Sequence, residues 1–290
     1  MIIPGHNKAI RPIRAALVAI LLLVPYTGPA TAAFDALLAP KSRLWERWTA
    51  HDPHAASRID HGAWDRILKR YLIRDEAGLN RFAYGRVSPQ DRKELGAYIR
   101  RLVAAHVRRY ARGEQLAYWI NLYNALTVQV VLGRYPVASI RDIDISPGLF
   151  ANGPWDKKLL AIEGTPISLN DIEHRILRPI WRDARIHYAL NCASIGCPNL
   201  RRTAFTGKNA GRLLNAGARD YVNSPRGVLF DGTALVVSSI YIWFKGDFGG
   251  SDANVIAHLR RYAAPKLKGK LKGVTKIDRH AYDWRINEQK

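Results

Sequence analysis

The sequence predicts an α+β fold, with a small antiparallel sheet packed against several helices and a helical N-terminal part. Three observations predict it. Residues 34–115 follow a helical pattern almost throughout. From residue 155 onward, short hairpin signals and separated strand-like runs alternate with helices. The 290 residues are 48% hydrophobic and 24% charged, enough apolar content to bury a core, so a wholly disordered chain and a disulfide-only scaffold are excluded. No internal repeat is present.

Residues 1–32 read as an export signal. Lys8, Arg11 and Arg14 form a basic start with no acid, residues 15–24 are apolar, and Ala30-Thr31-Ala32 ends in an A-x-A cleavage pattern. The apolar run is shorter than the roughly 20 residues a spanning helix needs, and no later stretch is long and apolar enough to span a bilayer. Removing 32 residues with three cations and no acid from 290 leaves 258 residues at a net charge of +18. The expected compartment is the periplasm or the exterior, where disulfides form. Such a charge attracts anionic partners, cell-envelope polymers or lipid headgroups, while export disfavours nucleic acid.

Residues 33–110 are expected to form the helical N-terminal region. Within it Ser88 is an N-cap, Pro89 suits the first helical position, and Asp91 and Glu94 fall in the first turns. Leu95, Ile99, Leu102 and Val103 then recur on one face. The α+β domain spans residues 111–287. It opens with residues 116–132, apolar nearly all round and therefore a buried helix, stopped by Gly133 and Pro136. Residues 158–162 and 165–168 predict a hairpin around Glu163-Gly164. Ser168 or Asn170 caps a helix reaching Leu177, which Pro179 ends. Residues 185–190 read as a strand, 208–222 as a helix, and 228–230 with 234–237 as a hairpin around Asp231-Gly232. Residues 252–263 predict a helix and 274–282 a last strand. The basic, Gly-rich residues 266–273 read as a solvated loop.

Three places can carry chemistry. Asn121 and Asn124 share one face of the buried helix, either bonding loop backbone or lining a polar pocket. Glu173 and His174 are neighbours on a helix, pointing about 100° apart, which makes it hard for both to face one small ligand. The third place is His187 through Pro198, with both cysteines of the chain in the loop after a strand. Cys192 and Cys197 can close a disulfide. Alternatively, Cys197 is a thiol at the N-cap of a helix starting at Pro198, its acidity raised by the helix dipole, with His187 or His174 as base. A zinc site is the third option, its C-x4-C spacing at the margin of zinc motifs. The C-x-x-C of thioredoxin-like redox pairs is absent. Downstream, Tyr241-Ile242-Trp243-Phe244 and Asp247-Phe248 form an aromatic cluster. It is either a core corner or a stacking wall whose Asp247 orients a histidine.

Taken in series, these segments resemble a bacterial and plant family known as domain of unknown function 547. The motifs are residues 118–126 (YWINLYNAL), 168–174 (SLNDIEH), 185–192 (RIHYALNC) through Gly196-Cys197-Pro198, then Trp243-Phe244, Asp247-Phe248, Tyr282-Asp283-Trp284 and Asn287. The family more often has Ser at position 196 and Phe at position 188. The resemblance implies that His187, Cys197, Glu173, His174, Asn121 and Asn124 belong to one site; it implies no activity.

The reading that follows is a thiol-dependent hydrolase or acyltransferase acting on an amide or thioester. Cys197 is the nucleophile, His187 the base or ion-pair partner with His174 as the other candidate, and Glu173 the orienting acid. Asn121 and Asn124 donate to substrate or oxyanion, and Trp243 and Asp247 line the substrate. No metal or cofactor is expected. The alternative is a non-catalytic cell-envelope binding protein with a Cys192–Cys197 disulfide and a basic face.

Overall fold

A computed structural model describes residues 39–148 and 153–290. The expected signal segment, residues 1–32, lies outside the described residues. Helix α1 (Gly62–Tyr71) buries Ala63, Trp64, Ile67, Leu68 and Tyr71, a single apolar stripe. A hairpin of β1 (Leu72–Arg74) and β2 (Asn80–Phe82) follows. Helix α2 (Pro89–Val103) begins at Ser88, whose hydroxyl accepts the Asp91 N–H at 3.1 Å. Helix α3 (Arg112–Arg134) is buried along most of its length and forms the axis of the larger core. Its Trp119 meets Trp48 edge-on with ring centroids 5.1 Å apart.

After α3, β3 (Leu160–Ile162) and β4 (Thr165–Ile167) form a second hairpin. A π-helical stretch, Asp171–Leu177, runs directly into α4 (Arg178–Trp181). A 3-10 turn at Ala184–Tyr188 and a long loop lead to α5 (Ala210–Val222). The remaining elements are β5 (Val228–Asp231), β6 (Ala234–Ser238), α6 (Ile240–Trp243), α7 (Asp252–Tyr262), α8 (Pro265–Lys270) and β7 (Arg279–Ala281). They surround a second core that includes Tyr188, Tyr221, Tyr241 and Phe248. The two cores meet at neighbouring residues, Tyr188 belonging to the second and Ala189 to the first.

The fold is α+β. Its strands form three small sheets rather than one. In the third sheet β7 runs parallel to β6, because the return passes through α6, α7 and α8 instead of a tight turn. The N-terminal region is not wholly helical: Asp75 accepts the Gly78 N–H at 2.9 Å and, with Gly78 at φ +78°, turns the chain into the β1–β2 hairpin. Residues 185–190 are not a strand. The Asp183 carboxylate takes the Arg185 N–H at 2.9 Å and starts the 3-10 turn instead. Residues 266–270 are helical within α8, not loop, with Pro265 in its first turn.

Pro179 does not end its helix either. In π register the Arg178 N–H reaches back to the Glu173 carbonyl. Pro179 has no N–H to give to the preceding turn, and the carbonyls of His174 and Arg175 there are taken by the N–H groups of Arg43 (2.9 Å) and Trp45 (3.0 Å). An extended segment docked on the helix thus supplies what the proline removes. Among the described residues no helix is long and apolar enough to cross a membrane.

Candidate functional site

A cavity of about 530 Å³ opens on the seam between the two cores, within the size range of small-molecule sites. Tyr123 of α3, Glu173 and His174 of the π-helical stretch, His187, and both cysteines line it. Trp155, Trp243, Phe244 and Trp284 complete the wall. Glu173 and His174 both face it, contrary to the expectation from ordinary helical spacing. The widened π turn brings the neighbours onto one opening.

The first end of the cavity is a chain of alternating charges. His187 is buried, with Nε2 2.7 Å from Asp247 Oδ2 and Nδ1 3.5 Å from Glu173 Oε1. Its ring stacks on Phe244 at 4.5 Å, with 9° between planes. Burial opposes the imidazolium, but the hydrogen bonds to Asp247 and Glu173 outweigh it and raise the pKa. Burial likewise opposes ionisation of Glu173. The surrounding His174, His187 and Arg178 overcome it and hold the carboxyl down to about 2. Asp247 is held far below the usual carboxylate range, burial being outweighed by His187 and Arg178. Arg178 joins the parts: Nε donates to Asp247 Oδ2 at 2.6 Å, and Nη1 donates to the Pro40 carbonyl at 2.8 Å.

Nη1 of Arg178 also lies 2.9 Å from Nδ1 of His174. A guanidinium only donates, so Nδ1 accepts and the His174 proton sits on Nε2. Burial, with the Arg178 charge adding to it, lowers the His174 pKa to about 4. Nε2 has no hydrogen-bond partner among the described residues and is not a buried, stranded atom. His174 is therefore a neutral N–H donor on the cavity. His187, with a carboxylate at each ring nitrogen, has no lone pair to offer a thiol.

The second end holds sulfur. Cys192 and Cys197 are joined in a disulfide. The Cys192 N–H donates to Cys197 Sγ at 2.9 Å, and the Tyr282 hydroxyl lies 3.1 Å from Cys197 Sγ and 3.0 Å from Cys192 Sγ. Residues 198–200 are not helical, so Cys197 is not at a helix N-cap. At position 196, where the resemblance expects Ser, an added Cβ would meet the Asp283 N at 2.8 Å and its O at 3.0 Å. The C-terminal segment lies against the loop there, and glycine is what lets it approach. Among the described residues no group of three or more His, Cys, Asp or Glu side chains is placed to hold a metal ion.

The aromatic wall joins the two ends. Trp284 stacks with Trp243 at 5.6 Å and meets Trp155 edge-on at 5.8 Å. Arg141 lies 5.4 Å over the Trp284 ring. The cluster at residues 241–248 divides its roles. Trp243 and Phe244 face the cavity, Tyr241 and Phe248 are core, and Asp247 stands behind His187.

Asn121 and Asn124 are not among the residues lining the cavity. Asn121 donates to the Phe205 carbonyl at 2.8 Å and accepts the Phe205 N–H at 3.0 Å. Asn124 donates to the Ala189 carbonyl at 2.9 Å and accepts the Asn191 N–H at 2.9 Å. Both amides pin loop backbone to α3 and are buried away from the cavity. Arg178 and Trp155 are the site residues that the sequence did not single out; Tyr123 and Tyr282 stood there only within the motifs that carry the family resemblance. Arg178 had a signal, since it stands four residues after His174, but a helix ending at Pro179 hid it.

No curated protein and no solved structure matches the chain. Trp243, Phe244, Asp247 and Trp284 lie beyond the segment that a family model covers. That segment, residues 107–222, carries Glu173, His174, His187 and both cysteines; it matches the model described as "Protein of unknown function, DUF547", the family this chain resembles.

Proposed function

We propose that this chain is an exported small-ligand-binding protein whose cavity holds the ligand, with the Cys192–Cys197 disulfide as part of the wall. One observation carries the reading: the bond between Cys192 and Cys197 leaves no free thiol beside the cavity. The rest supports it. Three tryptophans offer flat apolar faces to a ring or chain. The ionised Glu173 accepts, and His174 Nε2–H donates, so the polar head of the ligand carries both a donor and an acceptor. The N-terminal sequence pattern supports export. The basic balance of the chain supports attraction to anionic envelope polymers or lipid headgroups.

A second reading, the thiol-dependent hydrolase or acyltransferase, is favoured by the Cys192 N–H and the Tyr282 hydroxyl, two donors within reach of Cys197 Sγ. Once the disulfide is opened they stabilise a thiolate nucleophile. His174, not His187, is then the imidazole with an open nitrogen. Intact mass after treatment with a thiol alkylator, without reductant, separates the two readings. An unmodified chain is the result expected for the binding protein. Rapid addition of alkyl groups to the folded chain overturns it in favour of the hydrolase.

A further inference from the structure

The disulfide opens on the cavity instead of being sealed in a core. Cys192 is partly exposed, whereas Cys197 is 4% exposed and accepts the Cys192 N–H; the Tyr282 hydroxyl lies between the two sulfurs, and Ser194 Oγ is 3.0 Å from Cys192 Sγ. Between them Ala193 is held at φ +62°, a left-handed conformation that a side chain disfavours. Its N–H is pinned by Asn191 Oδ1 at 3.0 Å. Arg226 clamps the same loop by donating to the carbonyls of Ile195, at 3.0 Å, and Cys197. This is a held loop with one approachable sulfur, Cys192, and one buried sulfur, Cys197, that accepts a backbone N–H and has the Tyr282 hydroxyl within reach.

Resting on the reading of the cavity as the ligand site, we propose that the Cys192–Cys197 pair exchanges with a low-molecular-weight thiol bound there, as a thiol–disulfide oxidoreductase. The ligand thiolate attacks Sγ of Cys192 and forms a mixed disulfide. The Cys192–Cys197 bond breaks, and its electron pair leaves on Cys197 Sγ as a thiolate. The Cys192 N–H and the Tyr282 hydroxyl receive that charge, and a stabilised thiolate leaves faster. Burial keeps Tyr282 a protonated phenol and therefore a donor. A second ligand thiolate attacks the ligand sulfur of the mixed disulfide and releases the Cys192 thiolate. Two ligand thiols have become one ligand disulfide, two electrons have passed to the protein, and the two protons end on its cysteines. The ligand disulfide reverses each step and restores the pair. Neither the C-x-x-C spacing nor a helix N-terminus is needed, because the Cys192 N–H and Tyr282 take the place of the helix dipole.

The test uses the full oxidised protein with glutathione and glutathione disulfide as probes, read by acid quenching, alkylation and intact mass. Native protein is expected to be reduced by millimolar glutathione and reoxidised by glutathione disulfide. Cys197→Ser is expected to trap one glutathione on Cys192, and Tyr282→Phe to slow reduction about threefold to tenfold. The inference is overturned if the wild-type pair resists glutathione until urea unfolds the chain, or if Tyr282→Phe exchanges at the wild-type rate. Failure here is distinct from failure of the binding reading. A closed disulfide that resists glutathione defeats exchange alone, whereas thiols found free in the purified protein defeat the binding reading.

Discussion

Asn121 and Asn124 on α3 and Glu173 and His174 on the π-helical stretch are both polar pairs set in apolar helices, yet their hydrogen-bonding capacity is used differently. Each amide closes a two-bond ring with loop backbone. Glu173, paired with His187 and bonded to Tyr123, and His174, bonded to Arg178, instead line the cavity. A buried polar side chain must find partners in either case. What marks a site is polar capacity turned toward the cavity rather than toward loop backbone.

The largest effect should come from breaking the charged pair's support. Arg178 is 8% exposed, and Arg178→Met leaves Asp247 with one cation and His174 without its donor. A loss of about 3–5 kcal/mol is expected in urea unfolding, as for a buried ion pair stripped of one partner. A loss below about 1 kcal/mol would mean the network is solvated. Asn124→Ala should cost roughly 1–3 kcal/mol for each backbone group it strands, the Ala189 carbonyl and the Asn191 N–H. Its test against the comparison is ligand binding. Cavity binding should survive in the folded variant, and loss of binding at unchanged stability would put the amide back in the site.

Acid separates the two pairs more gently, because amides do not titrate. His61 and His174 have pKa values lowered from 6.5 to about 4, chiefly by burial. Their contribution to stability is present above the unfolded value and is lost as pH falls from about 6.5 toward about 4. His187, with its pKa raised, runs the other way: its contribution is full below the unfolded value and is lost as pH rises through the raised one. Glu173 adds a loss only as pH falls from 4.5 toward about 2. Denaturation at stepped pH should therefore show His174→Gln reducing the slope between pH 6.5 and 4 by about one proton. An unchanged slope would place the titrating histidine elsewhere. The smallest effect is a control outside both pairs. Ser88→Ala removes the α2 cap and should cost about 1 kcal/mol, leaving the cavity's ligand binding unchanged.

Much of this was legible in the residues. The Ser88 cap, the buried α3 and the hairpins at β3–β4 and β5–β6 follow from local patterns that tertiary packing did not override. An Asp247 that orients a histidine was one of two readings of the aromatic cluster, and nothing local said which histidine. The π register at 171–177 was not legible. It goes with backbone N–H groups at Arg43 and Trp45, far away in sequence, taking carbonyls in the turn before Pro179, which has no N–H to give. With the helix read as ending at Leu177, Arg178 had no role, and Glu173 and His174 looked divergent. The turn at His187 was hidden for a similar reason. The alternation of residues 185–190 suits a strand, but one carboxylate at Asp183 decides the local backbone.

Nitrogen-15 NMR of the histidine side chains at pH 7 tests the central arrangement most directly. His187 is expected with both ring nitrogens protonated, and His174 neutral with its proton on Nε2. A neutral His187 titrating near the ordinary 6.5 would contradict it, and would return to the disulfide's neighbourhood the free base that the thiol-enzyme reading requires.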